Sequence, residues 1–236
     1  MDLRKLSEPL RADQIDFRVQ SVNNGGYATI LAYKDARADM QRLDDVCGSL
    51  NWKREHLNNN ANCVVSVWNE KIKEWVSKED TGTASNAEAA KGLASDSFKR
   101  ACFNWGIGRE LYDYPVISIK LNSNEWEKSG NKAKATWGLK LKEWKWKTRF
   151  AGNELVYIAA MDDKGVIRFE HGDSATAQLA AQLIGHYQSG DIESLVDTFD
   201  LNTDMSDKAW RLIGSADRAA MKKLINDERK ARKEEA

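Results

Sequence analysis

Aromatic and cationic side chains interleave over residues 137–147, where Trp137, Lys140, Lys142, Trp144, Lys145, Trp146 and Lys147 follow one another. Lysines in such a run can contact phosphates while a Trp stacks on a base, a contact worth roughly 1–3 kcal/mol per base. The competing reading is a half-buried strand with its Trp in the core and its Lys in water. A second cationic set is Arg18 with the adjacent Lys99 and Arg100. Strand alternation puts Arg18 on the face opposite Phe17 and Val19. Lys99 and Arg100 border the apolar stripe of a helix, where they are held more rigidly than on an open face. Each of the three, taken alone, also reads as an ordinary surface charge. Glu143-Trp144-Lys145 fits the minimal Glu-x-Lys of metal-dependent nucleases, with the acid on a metal and the Lys on the scissile phosphate. Asp113 could supply a further ligand, but a pattern this short arises readily by chance. The sequence has no GxxxxGK[ST] loop and no Ser in a GxSxG context, and Gly106-Ile107-Gly108 follows a helix, so it reads as a helix stop.

The 236 residues suit one large domain, or one domain with an appendage. With 42% hydrophobic residues and nine Trp, there is ample material for a packed core. Lys+Arg and Asp+Glu both number 36, so the formal net charge is zero. That balance excludes a protein that holds a polyanion through bulk charge alone, and leaves a local basic groove open. The distribution is uneven: residues 120–150 carry nine basic against three acidic side chains, and residues 151–236 carry eleven against sixteen. A basic centre of this kind points to a polyanionic partner. No apolar run approaches the roughly 18 residues of a membrane span, and MDLRKLSEPLR lacks the apolar stretch of a signal peptide. Cys47, Cys63 and Cys102 stand in no CxxC spacing and read as reduced, mostly buried thiols of a cytoplasmic protein. His56, His171 and His186 are isolated from one another and from the Cys, which argues against a zinc site; no cofactor is expected.

These side chains need elements to position them. IDFRVQSV and YATILAY flank Asn23-Asn24-Gly25-Gly26, a strong signal for a β-hairpin over residues 15–33. A helix follows, capped by Asp35 and ended by Gly48, with Ala36, Met40, Leu43 and Cys47 as its apolar stripe. Three short strands near 51–57, 62–68 and 73–80 are separated by Asn58-Asn59-Asn60 and Asn69-Glu70-Lys71. The next helix, 86–105, opens on the capping box Ser85-Asn86-Ala87-Glu88, and Ala90, Ala94, Phe98, Ala101, Cys102 and Trp105 recur on its buried side. This gives a ββαβββα order up to about residue 120. Residues 121–133 are polar without periodicity and read as a linker or loop. Residues 137–150, ELVYIAAMDD and GVIRFE suggest a three-stranded meander, with a bulge where the apolar parity switches near Glu143. Helical patterns follow from Ser174 and over 206–232, the latter interrupted near Gly214-Ser215.

Residues 86–113, NAEAAKGLASDSFKRACFNWGIGRELYD, resemble the signature helix of the Rad-fifty-two superfamily of single-strand annealing proteins. That signature reads roughly A-x-T-D-x-L/F-K-R-A-x-R-x-F/W-G with LYD shortly after. Ala94-Ser95-Asp96-Ser97-Phe98-Lys99-Arg100-Ala101, Trp105-Gly106 and Leu111-Tyr112-Asp113 match it. Upstream, Val46-Cys47-Gly48-Ser49-Leu50-Asn51-Trp52 looks like the family's "FG…W", and Lys78-Glu79-Asp80-Thr81-Gly82 its "EDxG". The resemblance covers about residues 10–120 and looks like a phage Sak-type member. One position departs from the pattern: the later Arg of the signature is Phe103 here.

The resemblance implies an α+β fold: a ββαβββα annealing core over 1–120, followed here by a basic loop and β-meander over 121–172 and an acidic helical region over 173–236. It implies rings or helical filaments of identical subunits with single-stranded DNA in a basic groove. By this resemblance Arg18, Lys99 and Arg100 are the inner phosphate contacts, with Tyr33 and Arg37 near further family positions. Lys71 and Lys73 fall where the family can place an outer DNA contact. The expected activity is ATP-independent strand annealing by a non-catalytic protein in recombination and repair. A protein that coats or protects DNA ends with poor annealing is the alternative, and the Glu143–Lys145 nuclease the less favoured one. Lys140, Lys142, Lys145 and Lys147 are expected to touch DNA or a neighbouring subunit, and a single-strand-binding protein is a further candidate partner for the C-terminal region.

Overall fold

The computed structural model describes residues 2–83, 89–130 and 132–234. The fold is α+β, with antiparallel sheets and six described helices. β1 (Ile15–Val22) and β2 (Tyr27–Lys34) form the expected hairpin. Asn23 closes its turn: the carbonyl accepts from Gly26 at 3.0 Å, and the side-chain oxygen accepts from the Gly25 and Tyr27 amides at 2.9 and 3.0 Å. The chain packs as two units, Met1–Phe17 with Ala32–Tyr112, and Arg18–Leu31 with Asp113–Ala236.

In the first unit α1 (Ala36–Cys47) begins at Asp35, whose carboxylate accepts from the Arg37 amide, and ends at Gly48 with a φ of 83°. β3 (Trp52–Leu57), β4 (Asn62–Asn69) and β5 (Glu74–Thr81) make an antiparallel sheet in that order. The β3–β4 turn uses Asn58, Asn59 and Asn60, all at positive φ, a conformation Asn tolerates better than other side chains. α2 (Ala89–Asn104) lies against β4, β5 and α1. Its inward face is Phe98, Ala101 and Cys102, all fully buried with Leu43, Val65 and Ile107. The capping box Ser85-Asn86-Ala87-Glu88 lies outside the described residues. The N-terminal segment is fastened to α1 by Arg42, whose guanidinium donates to the carbonyls of Lys5, Glu8 and Pro9.

In the second unit a five-stranded sheet runs β6-β2-β1-β8-β7, with β6 spanning Ile117–Lys120, β7 Trp126–Ser129 and β8 Lys132–Ala135. The linker expected over 121–133 is therefore largely a β-hairpin, in register Trp126↔Ala135 and joined to β1 at Val22↔Ala133. Its period of two is hidden in the sequence because the inward residues of β8 are only Ala133 and Ala135, between exposed Lys132 and Lys134. Gly26 completes the fit, since a Cβ there would stand 2.5 Å from the Trp126 ring.

The meander is present as β9 (Lys145–Ala151), β10 (Glu154–Met161) and β11 (Ile167–His171), but its first strand starts at Lys145. Residues 137–144, expected on that strand, form a loop with a 3-10 turn at Leu141–Glu143. The reason is Trp144, only 7% exposed, which is covered by the Arg168 guanidinium 4.9 Å from its ring. Arg168 is fixed in turn by Glu125 at 2.8 Å and Asp162 at 3.2 Å. α3 (Ser174–Ser189), α4 (Ile192–Leu201), α5 (Thr203–Arg211) and α6 (Ser215–Glu234) follow. The single interrupted helix expected over 206–232 is thus two helices, α5 and α6. Leu183, Leu195, Ile213, Met221 and Ile225 lie at the centre of this unit's core.

All three cysteines are free and buried. Burial pushes the Cys47 and Cys63 thiols up to about 11 and raises Cys102 as well.

Lys34, 2% exposed, forms an ion pair with the fully buried Asp39 and donates to the Ile107 carbonyl at 2.6 Å. Burial raises the Asp39 carboxyl to about 6, against the opposing pull of Lys34. Removing one member of such a pair strands the other, whereas removing both leaves packable apolar space. Asp39→Ala should therefore cost about 3–5 kcal/mol in urea unfolding, and Lys34→Met with Asp39→Leu should recover most of that loss.

Candidate nucleic-acid interface

Lys99 and Arg100 stand half-buried on α2, beside the face that Phe98 and Ala101 bury. Their placement follows from how α2 is held on the sheet. At its N-terminal side Gly82 lies so close that a Cβ would be 2.5 Å from the Ser97 nitrogen and 2.9 Å from the Leu93 oxygen. The Gly82 amide donates to Ala61 O at 2.8 Å, Ser97 Oγ donates to Asn60 O at 3.0 Å, and Asp96 accepts from the Thr83 amide at 2.8 Å. At the other end the last carbonyls of α2 receive cations: Lys78 donates to Asn104 O at 2.7 Å, and Arg109 donates to Phe103 O and Asn104 O. Positive side chains there also complement the helix dipole. Trp105 closes the contact by donating from Nε1 to Val65 O at 3.0 Å.

Three of the expected cations of the first unit, Arg100, Arg37 and Lys73, rest on acids. Arg100 pairs with Asp80 at 3.4 Å, and Asp80 also accepts from the Asn104 amide group at 3.3 Å. Arg37 pairs with Asp35 at 2.9 Å, and its guanidinium holds the Asp35 carboxyl below the usual carboxylate range; Lys99 adds a smaller electrostatic pull. Lys73 pairs with Glu70, and Lys71 is exposed on the same turn. Exposed pairs of this kind are worth about 0–1 kcal/mol, so a phosphate can displace the acid at little cost. Tyr33 is half-buried on β2. Phe103, which stands where the family signature has Arg, places its ring 4.1 Å from Lys34 Nζ and packs edge-on to Tyr112. Sequence reasoning missed Lys34, although the alternation through Ala28, Ile30 and Ala32 puts it on the inward parity of β2.

The remaining expected residues belong to the second unit. Arg18 is exposed on β1, opposite half-buried Phe17 and Val19, as alternation requires. Lys145 and Lys147 project from the exposed face of β9, and Lys142 is exposed on the preceding turn. Lys140 pairs with Glu143 at 3.4 Å and Asp163 at 3.7 Å. Glu143 is thus engaged by a lysine, and among the described residues no three His, Cys, Asp or Glu side chains converge as a metal site. Among the described residues no helix is long and apolar enough to cross a membrane.

Residues 60–129 match the family described as Rad52/22 family double-strand break repair protein. Over this stretch the chain is similar to that family. The Rad52-like stretch contains Lys71, Lys73, Lys99 and Arg100 and leaves out Arg18, Tyr33, Arg37 and the lysines of 140–147. The chain is also 35% identical over 115 residues to the single-stranded DNA-binding protein DdrA of Deinococcus radiodurans, covering 48% of this chain and 55% of that protein. It is 38% identical over 97 residues to the DdrA of Deinococcus deserti, covering 40% of this chain and 48% of that one. The chain therefore spans about half the length of the curated relatives it matches. No solved structure matches it.

The close seat of α2 on Gly82 has a direct consequence. Gly82→Ala must displace the helix, and should lower stability by roughly 1–3 kcal/mol, as overpacking does. Thermal or urea unfolding of the variant measures it.

Proposed function

We propose that this protein binds single-stranded DNA and anneals complementary strands without ATP, acting in recombination and repair. The observation that carries the reading is the Lys99–Arg100 pair. It lies inside the Rad52-like stretch, on a helix held at its middle and its C-terminal end and buried along one face. Cations presented on so rigid a base lose little freedom on meeting a phosphate.

In this reading Lys99 and Arg100, joined by Tyr33 and Arg37 of the same unit, line an inner track for one strand, and Arg18 is a further phosphate contact. Lys71 and Lys73 provide an outer contact on the β4–β5 turn. A subunit with no net charge binds strongly only if such tracks repeat, so we propose assembly into a ring or helical filament. Leu50, Tyr112 and Val116, each at least 70% exposed, are apolar groups that such assembly would cover. Annealing then needs no fuel, since pairing returns roughly 1.4 kcal/mol per base step. The protein extends the strand, screens the repulsion between two backbones and leaves base edges free. The core would comprise residues 1–120, with the basic 121–172 region assisting. The acidic helices of 173–236 are the element we propose for docking a single-strand-binding protein.

The likeness to the two DdrA proteins, which are single-stranded DNA-binding, favours a second reading in which the chain coats or protects ends and anneals poorly. Mixing complementary labelled strands separates the two, because only an annealing protein accelerates pairing. In either case Lys99→Ala with Arg100→Ala should weaken oligonucleotide binding while leaving the unfolding transition in place. The slope of log affinity against log salt should fall by about 0.7 for each phosphate that is no longer neutralised. Wild-type affinity and slope in the double variant would remove these residues from the site.

A further inference from the structure

Trp137 is 100% exposed, the most exposed large apolar side chain among the described residues. The backbone on either side of it is nonetheless held firmly. The Thr136 amide donates to Glu125 O at 2.9 Å, and the Thr136 hydroxyl donates to Asn124 O at 2.6 Å. Gly138 packs so tightly on the same loop that a Cβ would stand 2.1 Å from Asn124 O. Leu139 closes the turn by donating to Thr136 O at 3.1 Å. Glu125 beneath it is itself fixed by Arg168 and by the Asn122 amide. A turn clamped at this many points raises one indole into water and keeps it there.

The surroundings say what such an indole could meet. Trp137 borders a recess of about 350 Å³ lined by Glu127, Lys134, Ala135, Thr136 and Leu139. Lys134 pairs with Glu127 at 2.9 Å, both well exposed, so the ammonium is available for exchange onto a phosphate. Lys132 lies on the same face of β8, two residues away. The whole 120–150 segment carries nine basic and three acidic side chains. An apolar protein partner would be met by a ring of charge here, whereas a strand of nucleic acid offers both a π-face and phosphates.

We infer that Trp137 is a stacking platform for an unpaired base of single-stranded DNA, with Lys132 and Lys134 contacting the flanking phosphates. The inference rests on the reading of this chain as a single-strand binder, and adds a contact separate from Lys99 and Arg100. The rigid turn spares the backbone the ordering cost that a mobile loop would incur on binding. Stacking uses the face every base possesses, so the contact is indifferent to sequence.

The test is fluorescence anisotropy of labelled oligo-dT on the full chain, for wild type, Trp137→Ala, Trp137→Phe and Lys132→Ala with Lys134→Ala. Trp137→Ala should weaken binding on the order of tenfold or more with the salt slope unchanged, and Trp137→Phe should restore most of it. The lysine double variant should lower the salt slope. On an abasic strand of equal length the Trp137→Ala defect should disappear. Equal affinity of Trp137→Ala and wild type for oligo-dT overturns the inference, and a retained Lys99/Arg100 effect in the same assay would leave the proposed function intact. Absence of wild-type binding overturns both. If Trp137→Ala instead changes the sedimentation of the free protein and leaves affinity per subunit unaltered, the indole serves contact between copies and the inference fails.

Discussion

A buried ammonium–carboxylate pair ties the first unit together. Lys34 comes from the end of β2, Asp39 from the first turn of α1, and the Ile107 carbonyl from the segment that follows α2. Two consecutive elements and a segment 73 residues further on meet at one nitrogen. A charge removed from water in this way is tolerated only with its partners in place, so the pair specifies geometry more than it adds stability. The packing of Gly108 against the Lys34 stem, where a Cβ would come within 2.9 Å, leaves little room for another arrangement. The chain leaving α2 is thereby fastened to β2 and α1 through the Ile107 carbonyl.

The functional reading follows from how each cation is held. Lys99 and Arg100 sit on a helix fixed by Gly82 at its middle and by Lys78 and Arg109 at its C-terminal end. Arg37, Lys73 and Lys140 instead lie on exposed acids in flexible-stemmed surface pairs. The first kind is suited to fixing the path of a strand, the second to adding affinity once the strand arrives. Phe103 qualifies this division. It contributes a ring facing Lys34 where the family pattern carries a cation, so the positive charge there belongs to a buried strand residue and not to the helix surface.

Most of the first unit was legible in the sequence because its signals are local. The Asp35 and Gly48 caps and the three Asn of the β3–β4 turn each state a backbone conformation directly, as the Asn-Gly turn does in the second unit. The second unit was harder for reasons that can be named. β7 turns only Trp126 inward and β8 only alanines, so their alternation carries almost no hydrophobic contrast. The Trp and Lys of 137–147 look like one strand until Trp144 is seen to need the cover of Arg168, more than twenty residues further on. Burial of a Trp by a distant guanidinium leaves no trace in a window of neighbours. The same holds for Lys34, whose inward parity was visible and whose partner was not.

The three sequestered sulfurs have a practical corollary. With the Cys47 and Cys63 thiols at about 11, only on the order of one molecule in ten thousand carries a thiolate at neutral pH, and neither sulfur is open to a bulky electrophile. A cysteine introduced on the surface would therefore be the fast-reacting one against this background. The native chain can take a maleimide dye at a chosen position with its own cysteines left untouched.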